Sequence, residues 1–362
     1  MNTRTSVRHQ PQTNIATMSQ ALNGSTVWAL IGIIMLVMSV YCFASWINSD
    51  YFVTNTYGRE DVPSWLRIWI RTIETLSFSL FAWCYYNYLF KPWIKNGEIS
   101  FDGLIMLACA SIFWQDVAAN YVVNFAQLNT YFINFGSWYG FIPGWQTPNI
   151  ERMPEAIVGW GSSYSSWFVL LPVLAGNKIM QMTKTRWPEM STGGLVLIAL
   201  LFFMVLDFVL EVAMVQTHAY TYMGAIKALS LWPEQVERFP LYEPVLWGAS
   251  WTVMTCLYYF RDDKGYSFAD RGVSKITVNK KLQKFLRFLA LAGVLNVIFM
   301  AYNILMAFLS LNGDSWPANP PRYLSAGMCG PDTAYACPDK NLPIARRSAP
   351  TNRIIPVAAQ KQ

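Results

Sequence analysis

Charge is the first thing this sequence lacks. Lys, Arg, Asp and Glu make up 13% of its 362 residues, against about 25% in an ordinary soluble domain. Histidine is scarcer still, with His9 and His218 the two examples. So few imidazoles exclude a His-rich di-iron membrane oxygenase and argue against a bis-His haem; neither a metal nor a cofactor is expected. Cysteine is also sparse for the length, with six residues, which excludes a disulfide scaffold. Cys42, Cys84, Cys109 and Cys256 fall in apolar blocks and read as small core residues. What the chain does have is 54% hydrophobic and 16% aromatic residues and a mean hydropathy of +0.25. The apolar residues are gathered into long blocks. That excludes a disordered chain and a nucleic-acid-binding module, and no nucleic-acid partner is expected. The composition predicts an all-α, polytopic membrane helix bundle whose main partner is the lipid bilayer.

A helix crossing ~30 Å of hydrocarbon needs about 20 largely apolar residues. Seven stretches qualify as expected spans: 26–47, 66–90, 101–120, 156–176, 193–215, 244–260 and 285–311. They divide the chain into an N-terminal tail (1–25), a seven-helix domain (26–311) and a flexible tail (312–362). Basic residues cluster on one side: Arg4, Arg8, Lys91, Lys95, Lys178, Lys184, Arg186 and the run from Arg261 to Lys284. By the positive-inside rule that side is cytoplasmic. The expectation is a multi-pass protein of a bacterial inner membrane, N-terminus inside and C-terminal tail outside. Cys329 and Cys337 bracket a Gly-Pro-Asp turn in that tail, and are either a disulfide or two unpaired thiols. The aromatic, nearly uncharged stretch 121–142 carries several Asn and ends at Pro143-Gly144. It is expected to form a structured outer loop or a re-entrant segment rather than a further span.

Ionisable groups inside spans cost ~2.5–3.5 kcal/mol each on insertion scales and are functional candidates by default. Glu74, Asp116, Asp207, Glu211 and Glu243 all fall in the outer half of the expected spans. Asp207 and Glu211 stand four residues apart and share a helix face. Asp116, Asn120 and Asn124 repeat that spacing and predict a polar stripe on the third span. Two neighbouring carboxylates in a low dielectric cannot both ionise cheaply, which leaves one acid and one base in the same pocket. The catalytic candidates are therefore Asp207, Glu211, Asp116, Glu74, Glu243 and the nearby His218. Asn120, Asn124, Trp138, Tyr139, Trp145 and Tyr242 are candidates for binding an apolar small-molecule substrate. A structural alternative stands beside this one, in which the carboxylates pair with Arg67 or Arg71 and hold helices together. Other classes also compete. A proton-coupled transporter or a substrate-binding membrane protein would use the same carboxylates.

Several short motifs add a resemblance: Pro143-Gly144-Trp145, Asp207-Phe208-Val209-Leu210-Glu211 running on to His218-Ala219-Tyr220, Pro240-Leu241-Tyr242-Glu243-Pro244, and Arg261-Asp262-Asp263-Lys264-Gly265. Together with the order of spans, from the first to the seventh, they resemble the AveC-like spirocyclase family of bacterial membrane proteins. The tail after Asn312 is not part of the resemblance. The family implies closure of a dihydroxy-ketone to a spiroketal, with dehydration in some members, in polyketide secondary metabolism. Such a cyclase or dehydratase needs an acid, a base and no redox cofactor. The resemblance assigns no catalytic residues.

Overall fold

The computed structural model describes residues 13–116, 118–121, 125–145, 147, 149–330, 333–337 and 346–347. Seven helices carry the fold. They are α1 (Thr13–Ile47), α2 (Ser64–Cys84), α3 (Phe101–Ala110), α4 (Leu170–Arg186), α5 (Thr192–Gln216), α6 (Glu243–Tyr259) and α7 (Lys280–Ser310). A helix overlaps each expected span, but the fourth is displaced: residues 157–169 form short π and α turns, and α4 covers only 170–176 of the expected 156–176 before running on to Arg186. Four segments among the described residues are long and apolar enough to cross a membrane: Gly24–Ile47, Phe101–Tyr121, Thr192–Gln216 and Lys280–Ser310. The crossing of the other three remains an expectation.

Helix α5 shows why this is a membrane-type protein. Its buried face is Leu195, Ala199, Phe203, Asp207, Glu211 and Val215, one residue every turn. Its exposed face includes Leu197, Leu201, Val205 and Val209. The helix is apolar all round except for two acids, and the acids point inward. A water-soluble amphipathic helix has the opposite arrangement. Packing follows the rule for helices in lipid, where small residues let backbones approach. On α1 and α7, a Cβ added to Gly32 would lie 2.0 Å from the Leu289 carbonyl oxygen, and one added to Gly293 would lie 2.1 Å from that of Trp28. Alanine at either position would force the helices apart.

The third expected span is not one helix. Helix α3 ends at Ala110, and Phe113–Gln115 forms a 3-10 turn. Two asparagines of α7 hold this broken backbone. The Asn296 side chain accepts from Trp114 Nε1 (2.9 Å) and Gln115 Nε2 (2.7 Å) and donates to Ser111 Oγ (2.9 Å). Asn303 accepts from the Ala119 amide and donates to the Gln115 carbonyl. The expected Asp116/Asn120/Asn124 helical stripe therefore does not form. Asp116 and Asn120 lie on turns, and Asn124 lies outside the described residues.

Long loops cap one end of the bundle, where α1, α3, α5 and α7 end and α2 and α6 begin. The described residues of the 121–142 stretch from 125 on are part of this cap. Strand β1 (Gln127–Leu128) pairs antiparallel with β4 (Tyr220–Thr221), and β2 (Phe135–Gly136) pairs with β3 (Pro154–Glu155). Buried Arg238 ties the loop between α5 and α6 to the tail by donating to the carbonyls of Met223, Ala225 and Ser315. Cys329 and Cys337 are joined as a disulfide, which resolves the open alternative for that pair. The basic run from Arg261 to Lys284 lies at the opposite end, after α6.

A buried carboxylate and tyrosine cavity

The capped end encloses a cavity of about 60 Å³, lined in part by Asp116, Glu211 and Glu243. Three different local structures deliver these acids. Glu211 projects from the inner face of α5. Glu243 opens α6, where a carboxylate meets the positive end of the helix and Pro244 needs no amide donor. Asp116 ends the 3-10 turn that α7 stabilises.

Each acid accepts a hydrogen bond from a tyrosine. Tyr222 donates to Glu211 Oε2 at 2.8 Å, Tyr302 to Glu243 Oε1 at 2.6 Å, and Tyr164 to Asp116 Oδ1 at 2.5 Å. All three tyrosines also line the cavity. Tyr222 stays a donor, because burial first and then the charges of Glu211 and Glu243 push its hydroxyl well above the usual range. Among the described residues, the ion pairs leave Asp207, Glu211 and Glu243 without a Lys, Arg or His partner. Buried carboxylates held by neutral donors can exchange protons, whereas carboxylates locked to guanidinium groups cannot do so readily. The remaining wall is largely aromatic, with Phe168, Trp247 and Phe299 prominent. Some polar atoms on the wall have no protein partner among the described residues: both ends of the Gln127 amide, Glu243 Oε2 and Trp247 Nε1. Buried polar groups left open in this way mark positions for water or a ligand.

Asp207 is fully buried one turn before Glu211 but does not line the cavity. It lies within electrostatic reach of both Glu211 and Glu243. The pair expected from the sequence is thus together, but only Glu211 faces the empty space.

The other expected site residues lie elsewhere. Glu74 is bound by the Arg71 guanidinium and accepts the Ile133 amide at 2.6 Å. It anchors the loop to α2, as the structural alternative for these carboxylates anticipates. Asn120 spends its side chain on the loop itself, donating to the Ala126 carbonyl and accepting from the amides of Phe125 and Ala126. His218 sits outside the cavity, between Glu237 Oε1 (2.5 Å) and the Tyr323 hydroxyl (3.0 Å). Trp138 meets Tyr139 edge-on and Tyr139 stacks on Trp145, in a separate aromatic cluster. Tyr242 packs on Phe125 and does not reach the cavity wall.

Two groups near the site have no signal in the sequence reading. Gln127 reaches the cavity through the β1–β4 pairing, a contact between distant loops. Glu155 is fully buried on β3, accepting from Ser137 Oγ at 2.6 Å. Burial, and then the nearby charge of Asp116, push the Glu155 carboxyl well above its ordinary range.

The fold and cavity define a helical, membrane-type protein with a buried acid site. The chain belongs to the Spirocyclase AveC-like family, whose model matches residues 98–323. The family points to a cyclase-type role. The match begins at α3 rather than at the first span and runs past Asn312 to Tyr323. It includes every acid and tyrosine named in the cavity and leaves out Glu74 on α2. No curated protein and no solved structure matches the chain significantly.

Proposed function

We propose that this protein is a membrane-embedded cyclase that forms a spiroketal from an apolar, hydroxylated, polyketide- or lipid-like ketone by acid–base catalysis. The observation that carries this reading is the set of three tyrosine-held carboxylates facing one small aromatic cavity. In the reaction, a hemiketal hydroxyl takes a proton from the Asp207/Glu211 pair, delivered by Glu211. The C–O bond breaks, water leaves, and an oxocarbenium ion remains. The Glu243 carboxylate and the faces of Trp247 and Phe299 stabilise that cation. A second substrate hydroxyl attacks the cationic carbon, and Asp116 takes the proton it releases. The sum is loss of one water with no change of oxidation state. Asp207 acts through Glu211 and is a positioning residue. A dehydrating member of the family would use the same pair to remove a further water.

The bilayer setting belongs to the same proposal: a bacterial inner membrane protein with its N-terminus cytoplasmic, so that the capped end and the disulfide-bonded tail face outward. The test is incubation of membranes containing the protein with a dihydroxy-ketone, with the product identified by mass spectrometry and NMR. A cyclic ketal lighter by one water supports the reading. Recovery of unchanged ketone from membranes with folded protein refutes it.

A further inference from the structure

A second hollow lies beside the acid cavity. It is a groove of about 300 Å³ between α2 and α5, within the ~300–1,000 Å³ range of small-molecule sites. Its walls include Leu76 and Leu80 of α2 and Ala213 and Met214 of α5. Leu76 and Leu80 are among the exposed large hydrophobics, so the groove opens on the apolar outer face of the bundle. Away from the wall it shares with the acid cavity, its polar groups are already committed. Trp167 donates its indole N–H to Ser77 Oγ at 2.8 Å, and Trp69 donates to Thr217 Oγ1 at 2.9 Å. What the groove offers a ligand is hydrocarbon contact.

The floor of the groove is also the wall of the acid cavity. Trp160, Phe168, Glu211 and Tyr220 line both spaces. Trp160 meets Tyr220 edge-on at 5.4 Å and lies 5.5 Å from Phe168. The partition is therefore made of side chains, which can turn without moving a helix. The cavity's ~60 Å³ accommodates a few waters, so it fits a reacting carbon with its oxygens and no more of a polyketide-sized molecule. The bulk of such a substrate must lie in a neighbouring space.

Building on the cyclase reading, we propose that the α2–α5 groove is the subsite for the substrate's apolar chain. The chain enters sideways from the bilayer, and its oxygenated end passes the Trp160/Tyr220/Phe168 partition to reach Glu211. Substrate selection then rests on chain contacts in the groove, and the carboxylates see only the reacting centre.

The test compares wild type with Ala213→Trp, which fills the groove, and Val209→Trp, which places the same side chain at an exposed position of α5 outside it. Each is assayed with a long-chain dihydroxy-ketone and with a truncated one. Ala213→Trp should raise KM for the long substrate by about tenfold or more, as loss of a few methylene contacts does, and leave the short one within about twofold. Val209→Trp should change neither. Equal loss on both substrates, or equal effects of the two variants, overturns the subsite. If wild type converts neither substrate, the cyclase reading fails and the groove is judged by labelling alone. The probe is a long-chain hydroxyketone carrying a diazirine, photolysed in membranes. Labelling of the Leu76–Leu80 peptide that free hydroxyketone competes away, and that Ala213→Trp abolishes, supports the subsite. Label spread along the outer face without competition means ordinary lipid contact and overturns it.

Discussion

Tyr302 on α7 donates its hydroxyl to Glu243 at the first turn of α6, at 2.6 Å. Both residues line the acid cavity, so one hydrogen bond joins two helices and fixes a carboxylate at the same time. Removing it with Tyr302→Phe leaves one more acceptor of a buried acid unsatisfied, at a cost of about 1–3 kcal/mol. The variant should melt earlier in detergent and lose activity. Tyr302→Phe with unchanged melting and unchanged turnover would show that this bond contributes neither to stability nor to the site.

Glu74 makes the opposite case. Its carboxylate is engaged by Arg71 and the Ile133 amide, outside the cavity. Glu74→Ala should lower stability by about 1–3 kcal/mol through the stranded loop amide and guanidinium. Turnover per folded molecule should stay near wild type. A specific loss of turnover at normal melting temperature would return Glu74 to the catalytic set.

Glu155 predicts a pH dependence of stability. Its folded-state carboxyl is raised by burial and then by Asp116, so the folded protein holds a proton that the unfolded chain releases. The stabilisation is complete below the ordinary Glu range and is lost as pH rises from there toward the raised folded value. Glu155→Gln cannot lose that proton. Melting followed from pH 5 upward should show the wild type weakening with pH more steeply than the variant. Parallel curves would contradict the assignment.

The Cys329–Cys337 disulfide closes a short loop, with a sequence separation of eight. Replacing both residues by Ser should cost about 2–3 kcal/mol on the chain-entropy scale, seen as a lower melting temperature that reductant does not change further. The same pair reports sidedness. After mild reduction, a membrane-impermeant maleimide should label these thiols on intact cells. Labelling only after lysis would place the tail inside and invert the proposed orientation.

The sequence made the acids of the site legible because charge is rare in its apolar blocks. Asp207 and Glu211 stand out by their spacing, and Glu243 by its place at a helix start. The tyrosines that hold the acids were not legible. The chain has 19 tyrosines, and nothing local separates Tyr164, Tyr222 and Tyr302 from the rest. Their roles depend on which loop or helix faces which acid. Glu74 shows the reverse problem. Its depth matches the other acids, but Arg71 three residues earlier neutralises it, a partner visible in the sequence as a structural alternative. The helices were legible from apolar length, except in the fourth span, where turns fill 157–169, and in the third, where Asn303 takes the place of backbone partners and Asn296 holds the side chains of Ser111, Trp114 and Gln115. Those bonds in the third come from residues some 180 positions away, beyond the reach of periodicity. Asn120, Trp138 and Tyr139 look like site residues by composition, and instead hold the loop together and fill a separate aromatic cluster.

The central claim is that the cavity's carboxylates carry out the proton transfers of a cyclisation. The most direct measurement is conversion of a dihydroxy-ketone by membranes holding matched amounts of folded wild type, Glu211→Gln or Glu243→Gln. Each substitution keeps the shape and removes the exchangeable proton or the charge. General acid–base groups contribute about 10²–10⁴-fold in rate, so both variants should fall by that order while wild type releases one water per cyclic product. Conversion by both variants at the wild-type rate would contradict the account.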